Sequence, residues 1–284
     1  MTDKNPVAPE HTAVRVALWR ALHVQIDPKP YVFSDEIGAK LVGEGNWRSR
    51  PDMNPDFSKS MRASIVGRAR FIEDLLEEQI NQGITQYVIL GAGLDTLSQR
   101  RPDFAKRLQI FEIDQPGPQT WKKNRLNELG YEALENLHFV PVDFEEAQSW
   151  WDELTKSGFK EDKPAFVVST GVSMYLTRQA NISTFEKLAM LPSGSTLAMT
   201  FMLALDLLQP QERSTMEFVM KKAEESGTPF VSLFRPEDLI ELAKKSGFKE
   251  VQYVSAETIF QRYFAKRSDG LRAGDAEGFL IAQT

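Results

Sequence analysis

The sequence predicts an α/β chain organised on a mostly parallel sheet, and three observations carry that expectation. Short apolar runs alternate with helical segments from Gln86 onward, the pattern of a sheet covered on both faces. The first run, Tyr87-Val88-Ile89-Leu90, breaks into the glycine turn Gly91-Ala92-Gly93-Leu94-Asp95-Thr96. A second run ends in Glu112-Ile113-Asp114, so the order is strand, glycine turn, helix and acid-tipped strand. Such an arrangement suits a nucleoside. The turn brings backbone N–H groups and a helix N-terminus to an anionic group, while the acid accepts hydrogen bonds from ribose hydroxyls. A dinucleotide fingerprint would carry a third glycine where this chain has Thr96, which favours a ligand without a diphosphate.

Ahead of the first strand the chain reads as helical and loop-rich. Val14, Ala17, Leu18 and Ala21 fall at helical spacing, and Ile65, Ala69, Ile72, Leu75 and Leu76 mark a second helix ending near Asn81-Gln82-Gly83. The segment between them from Gly43 to Ser60 is rich in Gly, Asn, Ser and Pro. It is expected to be a long loop covering the substrate side. The strands are expected at Gln86–Leu90, Leu108–Ile113, Leu137–Val142, Ala165–Ser169, Thr196–Phe201, Phe248–Ser255 and Gly278–Ala282. Residues 203 to 232 hold charged helical sequence after the fifth of these. Residues 1–82 are therefore expected to form a helical cap with a substrate-side loop, and 83–284 the sheet-bearing domain, with 203–232 as an addition within it.

Composition narrows the classes of function. The chain has 284 residues, enough for one large α/β domain with additions, and its 34 basic and 40 acidic residues give a net charge of −6. No basic face is evident, which speaks against a nucleic-acid partner. There is no cysteine, hence neither a disulfide framework nor a thiolate zinc site. The most apolar stretch, Leu197 to Leu208, is interrupted by Asp206 and is too short to span a bilayer. Met1 to Glu10 is polar and proline-containing, unlike a secretory leader. A soluble cytoplasmic protein without a membrane or metal partner is the expectation.

The ordered motifs are more specific than the glycine turn alone. Arg68-Ala69-Arg70-Phe71-Ile72-Glu73-Asp74, Val88 to Thr96, Phe111 to Pro116, Val142-Asp143-Phe144, Gly171 to Thr177, and Phe234 to Leu239 followed by Ser246-Gly247-Phe248 succeed one another over roughly residues 11 to 284. In this order and spacing the chain resembles the leucine carboxyl methyltransferase-like family of S-adenosylmethionine-dependent O-methyltransferases, in particular its bacterial branch. The resemblance implies the class I methyltransferase plan: a Rossmann-like seven-stranded sheet with the last strand antiparallel, an N-terminal helical cap and an insertion after the fifth strand.

Site residues follow from matching positions. The resemblance implies that Arg68 pairs with the donor's methionine carboxylate, a bidentate task that suits guanidinium. Gly91 and Gly93 let the backbone approach the methionine and ribose portions. Asp114 is the choice for the ribose diol, with Glu112, two residues earlier on the same face, as the substitute if the strand ends sooner. Asp143 is expected to accept from the adenine amino group and the Phe144 N–H to meet a ring nitrogen, although Asp143 also reads as a helix N-cap. Thr170 stands where many relatives carry glutamate. Tyr175 lies where the family lines the acceptor pocket and is the candidate catalytic position. Arg48, Arg50, Arg62, Trp47 and Arg262 are available to an anionic, partly apolar acceptor.

Methyl transfer from a sulfonium is an in-line displacement that asks mainly for alignment in a site closed to water. A carboxylate acceptor is already ionised at neutral pH, whereas a hydroxyl benefits from a base. The chain has only 3 histidines, His11, His23 and His138. The expected function is thus O-methylation of a carboxylate, or of a hydroxyl, on a small molecule such as a carboxylic acid or polyketide-like compound. The rival readings are a donor-binding protein without turnover and an NAD-dependent oxidoreductase. The latter lacks the third glycine and a Lys four residues after Tyr175, where Gln179 stands.

Overall fold

The computed structural model describes residues 11–43, 45–142 and 149–284. The elements run α1 (His11–Ile26), α2 (Ile37–Val42), α3 (Lys59–Asn81), β1 (Gln86–Leu90), α4 (Leu97–Arg100), α5 (Pro102–Ala105), β2 (Gln109–Asp114), α6 (Pro116–Glu128) and β3 (Leu137–Pro141). They continue with α7 (Trp150–Lys156), β4 (Phe166–Ser169), α8 (Arg178–Ala189), β5 (Thr196–Met202), α9 (Pro210–Glu225), α10 (Pro236–Ser246), β6 (Glu250–Val254), α11 (Ala256–Tyr263) and β7 (Glu277–Gln283). All seven expected strands form, displaced by at most two residues at their ends.

The sheet order is β3-β2-β1-β4-β5-β7-β6. Neighbours from β3 to β5 are parallel, and β7 runs antiparallel to both β5 and β6. The period-2 alternation of β1 sorts its side chains between two cores. Val88 and Leu90 join Phe111, Val140 and Val167 under α7, α8 and α10, through Leu154, Phe185 and Leu239. Tyr87 and Ile89 join Ile110, Phe166 and Val168 on the other face, under Val66, Phe71 and Leu76 of α3 and Phe264 beyond α11. Phe71 meets Phe279 of β7 edge-on at 4.8 Å, so α3 belongs to the sheet's covering layer.

Local sequence explains the helix ends. Thr177 caps α8 by accepting from the Ala180 N–H at 3.1 Å, and Pro236 opens α10 while Gly247, at φ +118°, closes it. One expectation needs correction: no full helix follows the glycine turn. Two helices of 4 residues each, α4 and α5, stand there, because Pro102 lacks the N–H to continue α4 and its ring favours a fresh start.

The Gly43–Ser60 segment is also more ordered than a loop. It contains two 3-10 turns, Trp47–Ser49 and Pro51–Met53, and buries Trp47 and Met53 against Leu18, Trp19 and Leu22 of α1. The Trp19 Nε1–H donates to the Asp52 carbonyl at 2.8 Å. Among the described residues no helix is long and apolar enough to cross a membrane.

Candidate active site

Strand order reverses direction at β1 and β4, and ligands of open α/β sheets bind at the carboxyl ends beside such a switch point. Both strands end in a glycine with positive φ one or two residues on: Gly91 at +71° and Gly171 at +72°. A Cβ on Gly91 would stand 2.4 Å from Val172 Cγ2, so glycine there is demanded by both sterics and backbone. The turn after β4 is fastened to β5: the Gly171 N–H donates to Thr200 Oγ1 at 2.8 Å, and Ser173 Oγ donates to the Thr200 carbonyl at 2.7 Å.

The first three N–H groups of the turn after β1 are already engaged. The Gly91 and Ala92 N–H groups both donate to the Ile113 carbonyl, at 2.9 and 3.1 Å. The Gly93 N–H donates to Asp114 Oδ2, and the Gln115 N–H gives Oδ1 a second bond of 2.7 Å. The protein's own carboxylate therefore sits where a phosphate would be cradled, and the single turn of α4 adds little dipole. This chemistry disfavours a diphosphate and suits a nucleoside whose ribose needs an acceptor. Burial raises the Asp114 carboxyl above its ordinary value, opposed by the Gly93 and Gln115 N–H groups.

Asp114 is the last residue of β2 and half-buried, whereas Glu112 is sealed within. Glu112 accepts from Lys122 Nζ of α6 at 2.6 Å, both side chains 1% exposed. Burial pushes the Glu112 carboxyl up to about 7 despite Lys122. The strand end thus leaves Asp114, not Glu112, at the rim.

Arg68 comes from α3 and places its guanidinium beside Gly171, where a Cβ would lie 3.4 Å from Nη1. Its Nη1 donates to Glu277 Oε1 of β7 at 2.8 Å. Thr170 follows β4 directly and is half-buried. Asp143 and Phe144 lie outside the described residues; the next helix, α7, takes its N-cap from Ser149. Tyr175 packs edge-on against Phe230 of the insertion at 5.3 Å. The insertion itself returns through an isolated bridge between Leu203 and Phe234, and the Val231 and Ser232 N–H groups donate to the Met174 carbonyl.

Sequence reasoning missed the device that sets the N-terminal helices on this edge. Asp35 accepts from Arg20 Nε at 2.7 Å and from Thr96 Oγ1 at 2.8 Å, and it caps α2 by accepting from the Ile37 and Gly38 N–H groups. Arg20 Nη2 donates to the Leu94 carbonyl at 2.6 Å, and Arg100 Nε to Thr96 Oγ1 at 3.1 Å. Thr96 therefore replaces a third glycine because its hydroxyl ties the cap to the turn. Burial would raise the Asp35 carboxyl, but Arg20, Arg100 and Thr96 hold it below its usual range. A local signal for Asp35 existed in Ser34-Asp35-Glu36 ahead of a short apolar helix; its partner at Thr96 had none.

Several cationic candidates are otherwise engaged. Arg62 is buried and makes a two-nitrogen pair with Asp27, Arg50 pairs with Asp52, and Arg48 bonds Gln25 while covering Trp47. Arg262 lies near Asp74 and Glu78. His23 is fully buried: Nε2 accepts from the Val32 N–H at 3.1 Å, which leaves Nδ1 to donate to Asp27 at 2.7 Å. His138 stacks on Phe111 and bonds Gln109. The His11 side chain is outside the described residues.

Solved structures share this fold. A DUF574 family protein from Streptomyces avermitilis superposes with a TM-score of 0.60 at 20% identity, covering 97% of this chain and 98% of that one. A protein of Thermobifida fusca, described as a methyltransferase, gives 0.57 at 16% identity over 98% and 95%. The fold is that of the class I S-adenosylmethionine-dependent methyltransferases. The family model of leucine carboxyl methyltransferase matches residues 13–189, and the chain belongs to that family. YktD of Bacillus subtilis, named for S-adenosyl-L-methionine-dependent methyl transfer, is 31% identical over 95% of this chain and 96% of its own. A Mycobacterium avium protein with the same designation is 29% identical over 72% and 68%.

Proposed function

We propose that the chain transfers a methyl group from S-adenosylmethionine to a carboxylate oxygen of a small-molecule acceptor, with a hydroxyl as the alternative acceptor group. The donor, when bound, supplies an electrophilic methyl on a sulfonium. Arg68 would hold its carboxylate end and Asp114 its ribose hydroxyls, while Gly91 and Gly93 let the backbone of the turn approach the donor. Asp114 keeps acceptor capacity after its two backbone bonds, since a carboxylate has about four lone-pair sites. The first turns of α1, with Ala13 over Gly93, and the Tyr175–Phe230 contact narrow access for water on either side of the edge.

The single observation that carries the choice of acceptor is the state of the described histidines. His23 and His138 are both committed to structural hydrogen bonds, so neither serves as a general base. A carboxylate acceptor, ionised near neutral pH with a pKa of about 4, requires only alignment.

A labelled-methyl assay across a panel of small acids and phenols tests this. Carboxyl methylation yields an ester that mild base hydrolyses to volatile methanol, while an aryl methyl ether survives. Base-labile product is expected; only base-stable product would move the acceptor to a hydroxyl. Tight donor binding with no turnover on any acceptor would favour a binding protein. Arg68→Ala and Asp114→Ala should each weaken donor binding by about 1–3 kcal/mol, the cost of losing one charged hydrogen-bond partner, as read by titration calorimetry. Unchanged affinity in both variants would overturn the two assignments.

A further inference from the structure

The ion pair of Arg68 and Glu277 links α3 to the start of β7 at the carboxyl edge of the sheet. Its side chains are 12% and 14% exposed, sheltered but reachable. Glu277 is the first residue of β7 and lies directly across from Met202 at the end of β5, so its carboxylate belongs to the same sheet edge as Gly171. The guanidinium nitrogens lie 3.4 and 3.6 Å from where a Gly171 Cβ would be, and the next residue, Val172, fills the space above Gly91. Glycine turn, β4 turn and ion pair therefore form one continuous surface. The pair is joined through Nη1 and Oε1, which leaves other guanidinium N–H groups and the second carboxylate oxygen for a ligand.

We propose that Glu277 binds the α-ammonium of the donor's amino-acid end while Arg68 takes the α-carboxylate, so the pair is a receptor for a zwitterion rather than for an anion. The inference rests on the use of S-adenosylmethionine proposed above. An α-amino acid carries its two opposite charges on one carbon, and a preformed pair of opposite charges is its electrostatic complement. A lone arginine here would bind any anion. Glu277 sets a repulsive partner against carboxylates or phosphates that bring no ammonium, which is discrimination by penalty on the wrong ligand. Thr170, at the end of β4, brings no charge to the edge, so the negative partner comes from β7 instead.

Titration calorimetry on the full chain tests this with two probes: S-adenosylhomocysteine, which has the amino-acid end, and 5′-methylthioadenosine, which lacks it. Glu277→Gln should weaken S-adenosylhomocysteine at least tenfold and leave 5′-methylthioadenosine unchanged. Glu277→Asp, which keeps the charge on a shorter arm, should lose less than Glu277→Gln for the first probe and nothing for the second. Thermal unfolding of both variants checks the fold. If Glu277→Gln bound S-adenosylhomocysteine as tightly as the native chain or more tightly, Glu277 would be a mere competitor for Arg68 and the proposal would fail. Equal losses for both probes would also overturn it, as a general disturbance. Should the native chain bind neither probe, the donor reading itself falls; binding both with equal affinity sinks only the zwitterion receptor.

Discussion

The N-terminal helices and the insertion between β5 and α10 both stand against the carboxyl edge of the sheet, but they are attached by different physics. The first is tied down through a buried charge centre, in which Asp35 joins Arg20 of α1, Thr96 of the glycine turn and the start of α2. The second hangs on the Leu203–Phe234 bridge and backbone bonds to Met174; α9 buries only Met216, while Phe218 and Val231 are exposed. A buried ionic hub tolerates little change because removing one member strands the others. A surface helix on an apolar strap can change its residues at small cost. The N-terminal helices are therefore expected to be sensitive to substitution at their buried hub, and the insertion much less so.

Removing the hub is the severest way to break this contrast. Asp35→Ala leaves the Arg20 guanidinium, the Thr96 hydroxyl and two N–H groups without their acceptor, and should cost about 3–5 kcal/mol in urea unfolding. A loss no larger than for a surface change would dissolve the distinction between the two regions.

Gly91→Ala comes next, with an expected loss of about 2–4 kcal/mol from strained φ and the Val172 clash. Val172→Ala should recover part of that in the double variant; no recovery would mean that the turn's backbone alone, not the close approach of β4, demands glycine.

The buried acids sharpen the comparison through pH. Glu112 is raised from 4.5 to about 7 in the folded chain, so its protonated form is favoured there. Its contribution is full below about pH 4.5 and is lost as pH rises through 7, a decline of about 3 kcal/mol at most. Asp27 behaves oppositely. Burial raises it, but bonds from Arg62 and His23 outweigh burial and lower it to about 2, so its contribution is present above pH 3.8 and lost as pH falls toward 2. Unfolding free energy measured from about pH 2 to 8 should show both slopes, and replacing Glu112 and Lys122 together by Gln and Met should flatten the neutral one. An unchanged slope in that double variant would remove Glu112 as its source. The smallest effect is expected for Phe218→Ser on α9, within about 0.5 kcal/mol; a large loss would show the insertion to be as tightly built as the cap.

Local pattern told much of this in advance. The seven strands were legible because apolar alternation and flanking turns are short-range signals, and Gly91 and Asp114 were legible because a turn and a strand end are local features. The break after Arg100 was also written in the chain, in Pro102, yet a glycine turn before an apolar segment invites a longer helix than proline permits. Spacing put Asp114 first and left Glu112 as its substitute, since both share one strand face and the strand's end was open. Burial under α6 and the reach of Lys122 separated them.

Taken alone, the order of residues determined the α/β architecture, the glycine turn and, through short motifs succeeding one another along the chain, the resemblance to a methyltransferase family, because each motif is a local pattern. Only the folded molecule decided which acid meets the rim, that Thr96 anchors the cap, and that Arg68 faces Glu277. The last two pairings span 61 and 209 residues, from Asp35 to Thr96 and from Arg68 to Glu277. Contacts at such separations arise from how layers pack, and no periodicity along the chain encodes which charged side chains that packing will bring together.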